Sequence, residues 1–352
     1  MKRNEIIENC SCCEDCLSEC RLLAKIGRCP LELAEDGASF EEAYSCAQCG
    51  LCAQVCPQEL NLGDFFLQRR REAVQKGQII AGDYADILPG PASVWEQYRL
   101  AYSIDYGNLN LLKPGGKAKT VFFPGCGMAT YAAQTTGLVF ERLKAAEPDL
   151  ALTLECCGEV SRQLGFNSLW EEHTRGLADF FTASGVEQII TACPNCYYSL
   201  KKSLTGKWPG ELLTVYSLWG EPEPAKTPLS PAIHDSCPDR FQGIFGEEIR
   251  KLLRQAGYTV TELKHHGQQA VCCGSGGQLS HFAPELAEEW RGLRLAEVKQ
   301  AGSELVAAYC YNCVLNLASY QELKVVHILD LLLNQSQDYR VIRPKIEALW
   351  QE

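Results

Sequence analysis

Glu187-Gln188-Ile189-Ile190-Thr191-Ala192 runs without a break into Cys193-Pro194-Asn195-Cys196. The apolar, β-branched stretch 187–192 predicts a buried strand that ends at a C-x2-C pair. Residues 304–309 (Glu304-Leu305-Val306-Ala307-Ala308-Tyr309) lead into Cys310-Tyr311-Asn312-Cys313 in the same way. Outward from the first of these, a strand at 119–123 ends at Pro124-Gly125-Cys126, a short strand at 152–154 enters Cys156-Cys157-Gly158, and 212–216 reads as a further strand. Helices are expected over 128–145 and 168–183. A Pro-rich joint at 221–231 follows, and then the order repeats. Residues 232–233 lead to His234-Asp235-Ser236-Cys237, followed by helix 247–256, strand 259–263, Cys272-Cys273-Gly274, helix 285–300 and a last strand at 325–328. The offset is 111 residues at the first cysteine and 117 at the C-x2-C pair, so the pattern is a duplicated domain and its period is too long for a solenoid. Alternating strands and helices argue for α/β units with largely parallel strands. The cysteines fall at the strands' carboxyl ends, where such sheets place ligands.

Upstream, residues 1–57 hold half of the 20 cysteines. Residues 60–76 have helical spacing through Leu62, Phe65, Phe66 and Ala73, and Gly and Pro punctuate 77–117 as in a covering linker. The expected fold is α+β overall. A helical, two-cluster ferredoxin-like domain at 1–80 and a linker at 81–117 precede two duplicated α/β domains at 118–225 and 231–352.

Composition narrows the chemistry. With 352 residues, 46% of them hydrophobic and 22% charged, the chain can bury a core and is not disordered. A formal charge of −11 argues against a nucleic-acid surface. No apolar run approaches the ~18 residues of a spanning helix. Met1-Lys2-Arg3-Asn4-Glu5 lacks the apolar segment of a secretory signal. A cytoplasmic protein is expected, with any membrane association made through another subunit. There, clustered cysteines read as metal-binding or redox-active rather than as a disulfide framework.

Cys46-x2-Cys49-x2-Cys52-x3-Cys56-Pro57 is the bacterial ferredoxin run, and Cys10-x2-Cys13-x2-Cys16-x3-Cys20 repeats its spacing without the proline. Three thiolates on one tight loop suit three corners of a cubane [4Fe–4S] cluster, with the fourth corner supplied by the other run. One cluster is assigned to Cys10, Cys13, Cys16 and Cys56, the other to Cys46, Cys49, Cys52 and Cys20. Structural zinc is the competing reading, but zinc ordinarily takes C-x2-C pairs parted by a long spacer. Cys12 and Cys29 are left over and read as small buried hydrophobes.

The second half gives Cys126-x29-Cys156-Cys157-x35-Cys193-x2-Cys196 and then Cys237-x34-Cys272-Cys273-x36-Cys310-x2-Cys313. Together with the eight N-terminal positions, these two sets account for 18 of the 20 cysteines. Five thiolates exceed what one cube needs. A thioredoxin-like dithiol at Cys193 and Cys196 is the alternative, and the second C-x2-C, also preceded by an adjacent pair, argues against it. Gly274-Ser275-Gly276-Gly277 lacks the Walker lysine and the GxGxxG order. Its glycines read as room for backbone to pass close to a bulky group.

Cys156-Cys157-Gly158 and Cys272-Cys273-Gly274 resemble the signature of the CCG domain. A two-cluster ferredoxin region followed by two such domains resembles the catalytic component of methanogen heterodisulfide reductase and the iron–sulfur subunits of glycolate oxidase and anaerobic glycerol-3-phosphate dehydrogenase. The resemblance implies two further [4Fe–4S] clusters, non-cubane in form. One would be held by Cys126, Cys156, Cys157, Cys193 and Cys196, the other by Cys237, Cys272, Cys273, Cys310 and Cys313. It further implies that a disulfide is cleaved between them, with Cys156, Cys157, Cys272 and Cys273 as the catalytic positions nearest the substrate. No flavin motif occurs here, so electrons are expected from, or to, a flavoprotein partner. The alternative is a pure electron-transfer subunit of a flavin-dependent dehydrogenase or electron-transferring-flavoprotein complex. His234 and Asp235 read either as a proton donor and a hydrogen bond to cluster sulfur or as a pair satisfied by backbone. His265 and His266 read as loop surface, and Lys201 and Lys202 either as attracting an anionic substrate or as a solvated face. Anaerobically purified protein should be brown and carry roughly sixteen iron atoms per chain, four clusters of four. A colourless zinc protein by metal analysis would refute the iron–sulfur reading.

Overall fold

The computed structural model describes residues 3–227, 229–319 and 323–349. Met1, Lys2 and Pro228, used in the readings above, lie outside the described residues. Helices surround two wholly parallel sheets, giving a mixed α and β chain. In the first sheet β1 (Thr120–Phe123), β2 (Ala151–Leu152), β3 (Gln188–Thr191) and β4 (Glu211–Thr214) run in the order β2-β1-β3-β4, with Val121 opposite Ile189. In the second, β5 (Ala232–His234), β6 (Leu305–Ala308) and β7 (Lys324–His327) run in the order β5-β6-β7. Every residue of β1 and of β6 is buried. That is the burial of central parallel strands covered on both faces, and it explains why they read as continuous apolar runs.

Three elements depart from the sequence expectation. The helix expected at 128–145 is two helices, Cys126–Tyr131 and Ala133–Ala146, parted at Ala132 with φ −139°. The break lets the first helix start on Cys126 at the end of β1 while Val139, Phe140 and Leu143 of the second pack into the core. The strand expected at 259–263 is a single bridge between Thr261 and Ala232, so the second sheet has three strands where the first has four. The strand at 152–154 ends at Leu152, where the chain turns off toward Cys156. Within the stretch read as linker, helix Val94–Ala101 buries Tyr98, and the Tyr106 hydroxyl donates to the Ala129 carbonyl at 2.6 Å.

The N-terminal third is made of short helices between cysteine runs, closed by the longer helix Leu62–Gln75. Ser39 and Glu42 form a reciprocal capping box on helix Phe40–Tyr44, and Asn61 caps Leu62–Gln75 by accepting from Gly63 N at 3.0 Å. Cys12 and Cys29 do not sit as two separate buried hydrophobes. Cys12 adopts φ +50° and is half-buried, which brings its Cα to 5.6 Å from that of Cys29, and the two form a disulfide. A left-handed turn at Cys12 directs its side chain at its partner rather than into the packed interior, and the Cα separation falls in the range a disulfide requires.

One buried cation joins this third to the rest. Arg70, fully buried, donates to the carbonyls of Ala43 (2.9 Å), Cys46 (2.6 Å), Gln163 (2.6 Å) and Gly277 (2.8 Å). Its guanidinium therefore ties the ferredoxin-like loops to segments beside both sheets. Arg240 does the same from the second half, donating to the carbonyls of Cys49 (3.0 Å), Gln268 and Ala270. Replacing Arg70 by Met strips a donor from each of those four carbonyls, two of them in fully buried contacts. Arg70→Met is expected to lower stability by about 3 kcal/mol or more in denaturant unfolding, and a loss under about 1 kcal/mol would contradict the clamp.

Candidate iron–sulfur centre

The parallel sheets aim their carboxyl ends at a common cleft. Cys193 caps helix Pro194–Leu204 directly after β3, and Cys310 caps helix Tyr311–Leu317 directly after β6. Cys126 opens the helix after β1, and Cys237 opens a 3-10 turn shortly after β5. Each adjacent pair lies on an irregular loop, with Cys156, Cys157, Cys272 and Cys273 all buried.

The ten thiols interact in one unbroken series. Cys126 meets Cys156, which meets Cys157, then Cys196, then Cys193. The series crosses from Cys193 to Cys310 and continues through Cys313, Cys273 and Cys272 to Cys237. The order in the second half mirrors that in the first, with Cys193 and Cys310 at the crossing. Asn195, inside the first C-x2-C, reaches over and donates to Cys310 Sγ at 3.3 Å. So many close thiols perturb one another in opposite senses. Hydrogen bonds to Cys126 and Cys157, with burial, push Cys156 up, while hydrogen bonds from Cys156 and Cys196 hold Cys157 well below the ordinary thiol value.

A cavity of about 260 Å³ opens between the two sets, and nine of the ten cysteines line it, Cys272 being the exception. Its wall also carries Lys202, Arg162, Gln163 and Gln278. Lys202 is exposed, as a solvated face would have it, and also borders the cleft. Lys201 instead donates to Gln242 Oε1 at 3.0 Å on the surface.

The eight N-terminal cysteines fall into two neighbourhoods. Cys16 lies among Cys52, Cys56, Cys10 and Cys13, and Cys20 among Cys49, Cys52 and Cys46. Burial pushes Cys16 up to about 12, and its neighbours' negative charge adds to this. Burial raises Cys52 as well, and a soft cation relieves the cost of ionising such buried thiols. The second neighbourhood adjoins the cleft, since Cys49 senses Cys272, and Cys237 senses Cys49. A Cβ on Gly276 would lie 3.2 Å from Cys272 Sγ and would run into the Ala47 carbonyl. The glycines after the second pair thus admit the ferredoxin-like loop to close approach.

The histidines separate. Asp235 does not face the cleft. Although burial opposes its charge, two hydrogen bonds from Arg250 at 2.8 Å hold its carboxyl below the usual range, and it also accepts from Gly267 N at 2.7 Å. Tyr309 donates to both Asp235 and Asp239 at 3.2 Å, and Tyr198 donates to Asp239 at 2.5 Å, fixing the Cys237–Asp239 turn against helix Pro194–Leu204. His234, by contrast, is buried, and one ring nitrogen lies within 4.8 Å of the sulfurs of Cys273 and Cys313. Burial pushes its pKa down to about 3, so the imidazole is neutral. His265 is not loop surface: it is largely buried and pairs with the buried Glu297, which Arg294 also contacts at 2.7 Å. His266 is held by a 2.8 Å contact between its Nδ1 and the Leu263 carbonyl.

Arg70, Arg240, Tyr198, Asp239 and Tyr309 had no motif to announce them. For Arg70 a signal existed, because it lies four residues after Phe66 and three before Ala73 on the buried face of its helix.

The model of the CCG cysteine-rich domain family matches residues 120–201 and 231–318. The chain is 27% identical over 93% of its length to the second subunit (B) of the fumarate reductase (CoM/CoB) of Methanothermobacter marburgensis, covering 72% of that protein. It is 25% identical over 79% of its length to a component (D) of the dihydromethanophenazine:CoB–CoM heterodisulfide reductase of Methanosarcina barkeri, covering 73% of it. It is 26% identical over 70% of its length to an EtfAB:quinone oxidoreductase of Syntrophomonas wolfei, of which it spans 38%. Among the described residues no helix is long and apolar enough to cross a membrane.

Gly125 tests whether the first five-cysteine set holds metal. It adopts φ +80°, and a Cβ there would stand 2.7 Å from Cys196 Sγ. Gly125→Ala should lower the iron content per chain while the chain stays folded by circular dichroism. Unchanged iron would contradict the placement of Cys196 as a ligand.

Proposed function

We propose, from the premise that the chain belongs to the CCG cysteine-rich domain family and carries two copies of that domain, that it is an iron–sulfur oxidoreductase subunit. In this reading it takes single electrons from a flavoprotein partner and reduces a disulfide in the cleft between the two domains. The observation that carries the proposal is the completeness and facing of the two five-cysteine sets: all ten thiols are present, and nine line one cavity. Each set would hold a non-cubane [4Fe–4S] cluster, and the eight N-terminal cysteines would hold two cubane ones. Bound clusters supply one-electron chemistry at low potential.

The protein's own part is positional. Helix starts after β1, β3 and β6 present thiols to the cleft with their amide ends toward the developing negative charge. Asn195 fixes the crossing between the halves. Lys202 places positive charge on the wall, where Arg162 is paired with Glu159, and this suits a substrate with an anionic group. Cleaving a disulfide takes two electrons and two protons and yields two thiols. A cleft with equivalent sulfur-lined walls offers each departing sulfur its own side, which avoids releasing a free thiyl radical.

A second reading, electron relay without disulfide chemistry, is favoured by the likeness to the EtfAB:quinone oxidoreductase. Anaerobic protein supplied with an artificial one-electron donor and a range of disulfides separates the two. Thiol release with turnover supports the first reading, and cluster reduction without thiol release supports the second. For the site itself, Cys157→Ala and Cys273→Ala should each abolish one EPR signal and spare the ferredoxin-type signals. Spectra unchanged by both substitutions would overturn the assignment of the adjacent pairs.

A further inference from the structure

The two halves repeat their cysteines but differ at one buried position beside them. His234 stands three residues before Cys237, and Phe123 stands three before Cys126. Each is the last residue of its strand, β5 or β1. Phe123 is fully buried in the same apolar cluster as Cys157 and Cys196. His234, 1% exposed, holds a ring nitrogen within 4.8 Å of Cys273 and Cys313, the matching cysteines of the second half. Neither nitrogen of His234 has a hydrogen-bond partner among the described residues. A buried imidazole without partners is costly, so one placed here asks for an acceptor. The ligand atoms placed nearest to it are the sulfurs of Cys273 and Cys313, within 4.8 Å.

We propose that His234 donates an N–H hydrogen bond to a thiolate ligand of the second set, Cys273 or Cys313, and thereby makes that centre easier to reduce than its counterpart. The inference rests on the reading that both sets hold clusters. A donor aimed at a ligating sulfur stabilises the extra negative charge of the reduced state, and hydrogen bonds to sulfur are an established lever on iron–sulfur potentials. Phe123 offers the first centre no such donor. Charge does not separate the two sets: Arg294, which acts on Cys273 and Cys313, is paired with Glu297, and Arg162, which acts on Cys157, is paired with Glu159. The favoured centre is also the one adjoining the ferredoxin-like loop, through Cys272 beside Cys49 and Ala47. His234 thus sets the order of reduction, with the first electron settling in the second domain. That transfer adds one electron and neither makes nor breaks a bond.

The test is an EPR-monitored redox titration of the full, anaerobically reconstituted chain, with iron counted in every sample. In the wild type, the two signals lost separately in Cys157→Ala and Cys273→Ala should titrate apart, the Cys273-dependent one at the higher potential. His234→Phe should lower only that midpoint, by about tenfold in the reduction equilibrium, or about 59 mV for one electron. His234→Gln, which keeps an N–H donor, should recover part of the shift. Phe123→His should raise the midpoint of the first centre. In the wild type, pulsed EPR should show weak imidazole nitrogen coupling on the Cys273-dependent signal, absent from His234→Phe. A fully loaded His234→Phe with both midpoints unmoved, or a His234→Gln that falls as far as His234→Phe, overturns the inference and leaves the proposed function standing. Wild-type protein without iron beside Cys273 overturns both.

Discussion

Ten thiols, seven of them buried, must be held facing one another across a cleft, and that requirement governs the rest of the molecule. The series from Cys126 to Cys237 is unbroken, with Cys193 and Cys310 at its centre. Parallel sheets meet the requirement because their strands all end on one edge, and the helices that follow begin there. β3 and β6 each hand the chain directly to a capping cysteine. Two copies of that device, set edge to edge, enclose the cavity.

The ferredoxin-like third is a second consequence of the same arrangement. Its loops would be of no use to the cleft at a distance, and Arg70 and Arg240 remove the distance by donating to main-chain carbonyls. Backbone acceptors do not depend on the neighbouring side chains, so these clamps fix loop against loop without specifying sequence. Gly276 then permits contact where any side chain would collide with the Ala47 carbonyl. The result is a continuous line of cysteine loops from Cys10 to the cleft.

Much of this was legible in the sequence because its physical cause is local. Continuous apolar runs at 187–192 and 304–309 announced central parallel strands, and the repeated cysteine spacing announced the duplication. The break at Ala132 was not legible, since 128–145 has helical composition throughout and only the need to start a helix at Cys126 divides it. The strand expected at 259–263 failed because a suitable pattern does not supply a neighbour, and only Thr261 finds one. Cys12 looked like a spare small hydrophobe until the left-handed turn at that residue set it against Cys29. At the site, every cysteine of the cleft was named from spacing and resemblance. The difference between His234 and Asp235 was invisible, since adjacent residues on a strand end face opposite ways: Asp235 went to Arg250, and His234 to the sulfurs.

Anomalous scattering at the iron edge from anaerobically grown crystals tests the central claim most directly. The account predicts iron density beside Cys156 and Cys157 and, separately, beside Cys272 and Cys273, with the cleft between them. Iron confined to the neighbourhoods of Cys16 and Cys20, with none at the adjacent pairs, would contradict it.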